Sequence, residues 1–142
     1  MKKRILALDF GSKTVGVAIT DPLLITAQEL ETIVREKPSA LRATLRRIVE
    51  VVEQYDVGQI VLGLPLNMND EEGERVEATK DFAEQLRKRV DVPIDFIDER
   101  LTTIEADEIL AEQGVPKSER KKVIDQVAAA IMLREYLDNM SK

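Results

Sequence analysis

The acidic residues Asp9, Glu99 and Asp125 stand where carboxylates can do chemistry. Asp9 lies near the end of the apolar run from Arg4 to Phe10 (RILALDF), two residues before Gly11. A carboxylate buried there without a partner is costly, so it must be solvated, hydrogen-bonded or bound to a cation. Capping a turn is the simpler use of an aspartate at a strand end. Glu99 follows Pro93 to Ile97 (PIDFI) beside Asp98. It reads equally as part of a polar loop or as an ion-pair partner of Arg100. Asp125 borders an apolar helix face made by Ile124, Val127, Ala128 and Ile131. The small Ala128, Ala129 and Ala130 let such a helix approach a sheet closely. Taken alone, Asp125 also reads as a solvated flank.

The residue types that are missing narrow the chemistry. The chain has no cysteine and no histidine. Disulfides, thiolate nucleophiles, histidine bases and zinc–cysteine or zinc–histidine sites are therefore excluded. Any metal must bind through oxygen, which points to Mg²⁺, Mn²⁺ or Ca²⁺. Three carboxylates gathered at one edge suit a pair of ions about 4 Å apart that clamp a phosphodiester. A metal-bound hydroxide is then the most economical nucleophile.

Positive charge near these residues supplies candidate phosphate contacts: Lys13, Arg100, Lys117, Arg120, Lys121 and Lys122. Lys13 sits in a turn next to Asp9 and can also be a solubilising hairpin tip. The stretch Lys117 to Lys122 (KSERKK) is basic within a chain of net charge −6, just before Asp125. A solvated helix start is its plain alternative. Thr102 reads as a cap only. Arg42, Arg46 and Arg47 make a weaker patch, most simply the outer face of a helix.

The elements that must position these residues follow from patterning. Arg4 to Phe10 and Thr14 to Thr20 read as strands of an antiparallel hairpin, and Ile25 to Val34 holds a third. Leu41, Leu45, Ile48, Val49 and Val52 recur at helical spacing between Pro38 and Tyr55. Gln59 to Leu64 is a buried strand ended by Pro65, followed by the polar stretch Asn67 to Gly73. A helix bearing Val76, Phe82, Ala83 and Leu86 precedes the strand Pro93 to Ile97. Thr102 and Glu105 fit a capping box for a helix to about Gln113. Ser118 is the expected cap of a last helix reaching about Asn139. The order β-β-β-α-β-α-β-α-α predicts an α/β fold, a mixed five-stranded sheet flanked by helices. Ligands of such sheets sit beyond the carboxyl ends of parallel strands, where Asp9, Gly63-Leu64-Pro65 and Asp98-Glu99 meet.

A length of 142 residues fits one domain, spanning 1–142. The N-terminal apolar run is interrupted by Asp9, so it reads as a strand and not as a signal peptide. No stretch approaches a membrane span. The expectation is a cytoplasmic protein without a membrane partner.

Four segments carry a family resemblance: Leu6 to Asp21 (LALDFGSKTVGVAITD), Val61 to Asn69 (VLGLPLNMN) with Glu72-Gly73 after it, Asp98 to Thr103 (DERLTT) with Glu105-Ala106 after it, and Ile124 to Leu137 (IDQVAAAIMLREYL). In order and spacing they resemble the YqgF family, also called RuvX. These bacterial proteins are described as candidate Holliday junction resolvases and as nucleases of pre-16S ribosomal RNA. The resemblance covers nearly the whole chain and implies a ribonuclease H-like fold. It implies that Asp9, Glu99 and Asp125 are the catalytic and metal-binding residues, that Mg²⁺ or Mn²⁺ is the cofactor, and that 5′-end maturation of precursor ribosomal RNA is the role. One departure is Asn69-Asp70, where the family often has Asp-Gly. Branched DNA is the alternative substrate, for which a homodimer with two sites is required; a monomer suffices for RNA. Two competing readings are an actin-like or sugar-kinase ATPase, whose phosphate loop the Asp9-Phe10-Gly11 hairpin also resembles, and a non-catalytic nucleic-acid-binding module.

Overall fold

A computed structural model describes residues 3–11, 13–37, 40–65, 73–98 and 102–140, the side chains of 102–104 and 121–122 excepted. Nine elements follow in chain order: β1 (Arg4–Phe10), β2 (Thr14–Thr20), β3 (Ala27–Val34), α1 (Leu41–Gln54), β4 (Val57–Leu64), α2 (Glu74–Arg87), β5 (Ile94–Asp98), α3 (Thr102–Glu112) and α4 (Lys117–Met140). The five strands form one sheet in the order β3-β2-β1-β4-β5. β1, β2 and β3 pair antiparallel, while β4 runs parallel to β1 and β5 parallel to β4. This is the element order and mixed sheet that the sequence predicts.

Burial explains the strand patterns. β1 and β2 are covered on both faces, so they read as continuous apolar runs. Leu6, Leu8 and Phe10 face α1 and α2, where Leu45, Ile48, Phe82 and Leu86 complete the larger core. The ring of Phe10 stacks on Phe82 at 4.3 Å between centroids. Ile5 and Ala7 face the other way and pack beneath Ala129, Met132 and Leu133 of α4. The edge strand β3 is half polar and nowhere fully buried, and it carries the charged Glu29 and Glu31, which discourage pairing with another chain.

α4 departs from the sequence reading in two ways. It starts at Lys117, so Ser118 lies inside the helix, and the Pro116 carbonyl accepts the N–H groups of Glu119 and Arg120. All seven residues from Val127 to Leu133 are buried, where a single apolar face was expected. The cause is a double burial: Val127, Ala128 and Ile131 pack on Ala106 and Leu110 of α3, while Ala129, Ala130, Met132 and Leu133 pack on the sheet. Among the described residues no helix is long and apolar enough to cross a membrane.

Candidate active site

Alternation along β1 puts Ile5, Ala7 and Asp9 on the face covered by α4. Asp9 is only 8% exposed. Its partner across the ladder is Gly16 of β2, and directly opposed residues share a face with their Cβ positions about 5 Å apart. Gly16 in turn lies under α4. A Cβ placed on it would overlap the Asp125 carbonyl and come within 2.8 Å of the Gln126 nitrogen. Asp9 and Asp125 are thus neighbours through one glycine, although 116 positions separate them in sequence (125 − 9).

The orientation of Asp125 is fixed locally. Thr14 at the start of β2 donates its hydroxyl to Asp125 Oδ2, leaving Oδ1 without a partner among the described residues. The next residue, Gln126, accepts a hydrogen bond from Thr32 Oγ1 at 3.0 Å and donates to Glu29 at 3.1 Å. The helix is therefore pinned to β2 and β3 at this one turn.

Two arginines hold the backbone that follows Asp9. Arg35 Nη2 donates to the Gly11 carbonyl at 2.7 Å, and Arg75 Nη2 donates to the Phe10 carbonyl at 2.6 Å. Both guanidinium groups lie over the Phe10 ring, at 4.8 and 5.7 Å from its centroid. Arg35 is 3% exposed. Burial, and then the charge of Arg75, pulls its pKa below the ordinary guanidinium value, yet an arginine keeps its charge at any physiological pH. Backbone bonds from Gly11 N–H to the Thr14 carbonyl and from Arg35 N–H to the Lys13 carbonyl, both 2.7 Å, close the turn. The hairpin that presents Asp9 is thus tied at Phe10, Gly11, Lys13 and Thr14.

The other expected site residues divide. Lys13 is exposed at the hairpin tip and Lys117 is exposed on the first turn of α4. Arg120 turns inward: its Nη1 lies 3.4 Å from Asp107 of α3 and its side chain is only 17% exposed. It joins two helices and is poorly placed for a phosphate. Lys121 and Lys122 lie on α4, but their side chains are outside the described residues, as are Glu99, Arg100 and the Asn69-Asp70 departure. Among the described residues no group of three acidic side chains is arranged to hold a metal ion. Asp9 and Asp125 nevertheless offer the right donors: carboxylate oxygens, one nearly buried and one oriented, which suit a hard cation.

Thr14, Arg35 and Arg75 carry no local signal in the sequence. Gly16 does, since a glycine inside a β-branched strand marks a close approach of another backbone.

Farther along α4, Glu135 has its pKa raised, first by burial and then by the charges of Glu105, Asp138 and Asp98. A carboxyl with a raised folded-state pKa penalises the fold where it is ionised, so the penalty is full at neutral pH and vanishes below the unfolded pKa. Glu135→Gln should therefore raise the melting temperature at pH 7, within the about 0.5 kcal/mol typical of surface changes. The gain should disappear below about pH 4. Thermal melts of both proteins across pH check this; a gain that grows on acidification would contradict it.

Comparison with known proteins agrees with this architecture. The chain is 52% identical over 138 residues to a protein of Agathobacter rectalis, covering 97% of this chain and 96% of that one. It is 53% identical over 141 residues to a protein of Lactobacillus johnsonii, covering 98% of each. Both relatives are provisionally named pre-16S rRNA nuclease. Among solved structures, RuvC of T. thermophilus in complex with a Holliday junction substrate matches with a TM-score of 0.61 at 14% identity, covering 97% of this chain and 96% of that chain. The large terminase nuclease of phage G20c matches with a TM-score of 0.51 at 12% identity, covering 90% and 80%. At these identities the likeness establishes the fold, which is ribonuclease H-like. The family model described as RuvX, Holliday junction resolvase, matches residues 3–139, and the chain belongs to that family.

Proposed function

We propose that this chain is a metal-dependent nuclease that hydrolyses phosphodiester bonds and matures the 5′ end of pre-16S ribosomal RNA in the cytoplasm, acting as a single domain. The observation that carries this reading is the juxtaposition of Asp9 and Asp125 across Gly16 at the carboxyl end of β1. Asp9, nearly buried on β1, and Asp125, oriented by Thr14 on α4, come from distant parts of the chain to the same place on the sheet. The names of the close relatives support RNA as the substrate.

In this reading Asp9, Glu99 and Asp125 supply the oxygen ligands. Mg²⁺ or Mn²⁺ held by them would lower the pKa of a bound water and offset charge developing on the phosphate. Thr14 keeps one oxygen of Asp125 engaged and so aims the other. Arg35 and Arg75 hold the Phe10 and Gly11 carbonyls and thereby fix the direction of Asp9. Lys13, Lys117, Arg100, Lys121 and Lys122 are the candidate contacts to the substrate backbone. With no histidine in the chain, these residues bind and orient while water supplies the nucleophile.

The family description favours a second reading, resolution of four-way DNA junctions. That activity needs two sites and therefore a dimer. The test is purified protein with Mn²⁺ or Mg²⁺ on matched precursor RNA and four-way junction DNA, with its mass measured in solution. RNA cleavage that stops in excess chelator is the expected result. Full activity in chelator would reject the metal, and cleavage of neither substrate would reject the nuclease.

A further inference from the structure

We propose that Arg42, Arg46 and Arg89 form a second binding surface for the phosphodiester backbone of the nucleic-acid substrate, on the helical layer opposite the one that carries Asp125. This rests on the nuclease reading above. The three arginines line an open trough of about 430 Å³, with Val49 as an apolar patch in its wall. Arg42, Arg46 and Val49 belong to α1, which packs on the sheet face away from α4. Arg89 arrives from just beyond α2, its Nη1 anchored on the Gln85 carbonyl at 2.8 Å.

A solvated helix face is the plain account of exposed arginines, and three observations separate this trough from it. Arg47, the next residue of α1, shows what an ordinary surface arginine does here. It pairs with Glu31 at 2.6 Å and with Glu50 at 3.2 Å. Arg42 and Arg46 form no ion pair among the described residues, although acidic residues outnumber basic ones in the chain. Their placement also works against the helix. Like charges four residues apart repel, and a cation in the first turn opposes the helix dipole. The first turn of α1 holds no acidic residue to offset it. Finally, the trough joins charges from two elements, which a single amphipathic helix face does not explain.

Planar guanidinium groups converging on a trough match phosphate oxygens, and their positive charge complements a polyanion. The adjoining hollow shares Val49 and Arg89 but is lined by Glu53, Asp56 and Asp91. That acidic neighbour repels phosphate and sets the end at which the strand must leave. The surface contacts any sequence alike, so it adds affinity and salt dependence but no base preference.

The test is fluorescence anisotropy of a labelled single-stranded RNA, in Ca²⁺ in place of Mg²⁺, across a series of salt concentrations. The proteins are wild type, Arg47→Gln, and the triple variant Arg42→Gln with Arg46→Gln and Arg89→Gln. Each lost phosphate contact on a single strand lowers the slope of log affinity against log salt by about 0.7, so the triple variant should lose about 2. Arg47→Gln should keep the wild-type slope, because its guanidinium is held by glutamates. Thermal melts establish that each variant is folded. Wild-type binding with an unchanged slope in the folded triple variant overturns the trough and leaves its arginines to solvent or to an acidic protein partner. A wild type that binds no nucleic acid overturns instead the nuclease reading on which the trough rests.

Discussion

Asp9→Asn is expected to abolish cleavage while the protein stays folded. Asparagine keeps the shape of the side chain but replaces one carboxylate oxygen with an amide, which cannot ligate a hard cation as an anion. Losing one ligand of such a site costs orders of magnitude in rate, and with no histidine in the chain nothing nearby substitutes. The backbone should not notice. Asp9 pairs with Gly16 through main-chain bonds, and Arg75 and Arg35 hold the Phe10 and Gly11 carbonyls whatever residue precedes them. Asp9 is 8% exposed, and asparagine keeps its size and one of its oxygens. The metal-free variant should therefore stay folded. The contrast appears on adding Mn²⁺. A ligand at a hundredfold excess over its Kd stabilises the folded state by about 2.7 kcal/mol, and the variant should lose most of that gain. Melts with and without Mn²⁺, beside a cleavage assay, separate the two effects. Wild-type turnover in the variant would remove Asp9 from the site.

The parts of this fold legible in the sequence are those where burial is one-dimensional. β1, β2 and β4 lie inside the sheet and read as apolar runs because both faces are covered. Asp9 stands out in β1 because it interrupts such a run. α4 was less legible because two partners cover it, and a sequence pattern records burial but not by what. Ala128, expected to ease the approach to the sheet, faces α3 instead; the close approach comes from Gly16. The basic run before Asp125 has uniform charge in sequence, yet Arg120 is drawn inward by Asp107 while Lys117 points to solvent. The residues that tie the hairpin, Arg35 and Arg75, were illegible for a related reason. Each acts on a backbone carbonyl, 24 and 65 positions away in sequence, and a carbonyl has no residue type to recognise.

Gly16→Ala should do the most damage for the smallest change. An added methyl group at this position has nowhere to go: it would overlap the Asp125 carbonyl and lie 2.8 Å from the Gln126 nitrogen. Both are backbone atoms of a helix pinned on the same turn by Thr14, Thr32 and Glu29. No rotamer change can relieve the contact, so α4 must lift from β2. Overpacking of this kind costs about 1–3 kcal/mol, occasionally more, and here it loosens the seat of Ala129, Met132 and Leu133 on the sheet. The effect on catalysis should be larger than the effect on stability. Lifting α4 moves Asp125 away from Asp9, and a displacement of about 1 Å in a reacting constellation can cost on the order of a hundredfold in rate. Gly73→Ser is the control. A Cβ at Gly73 meets nothing within 4 Å among the described residues, its backbone is extended at φ −126°, and a serine there can cap α2. It should match or exceed wild type in urea midpoint. Gly16→Ala should fall below wild type in midpoint and fall much further in cleavage rate. If Gly16→Ala instead kept both at wild-type values, α4 would not rest on β2 at Gly16, and Asp125 would have no fixed place beside Asp9.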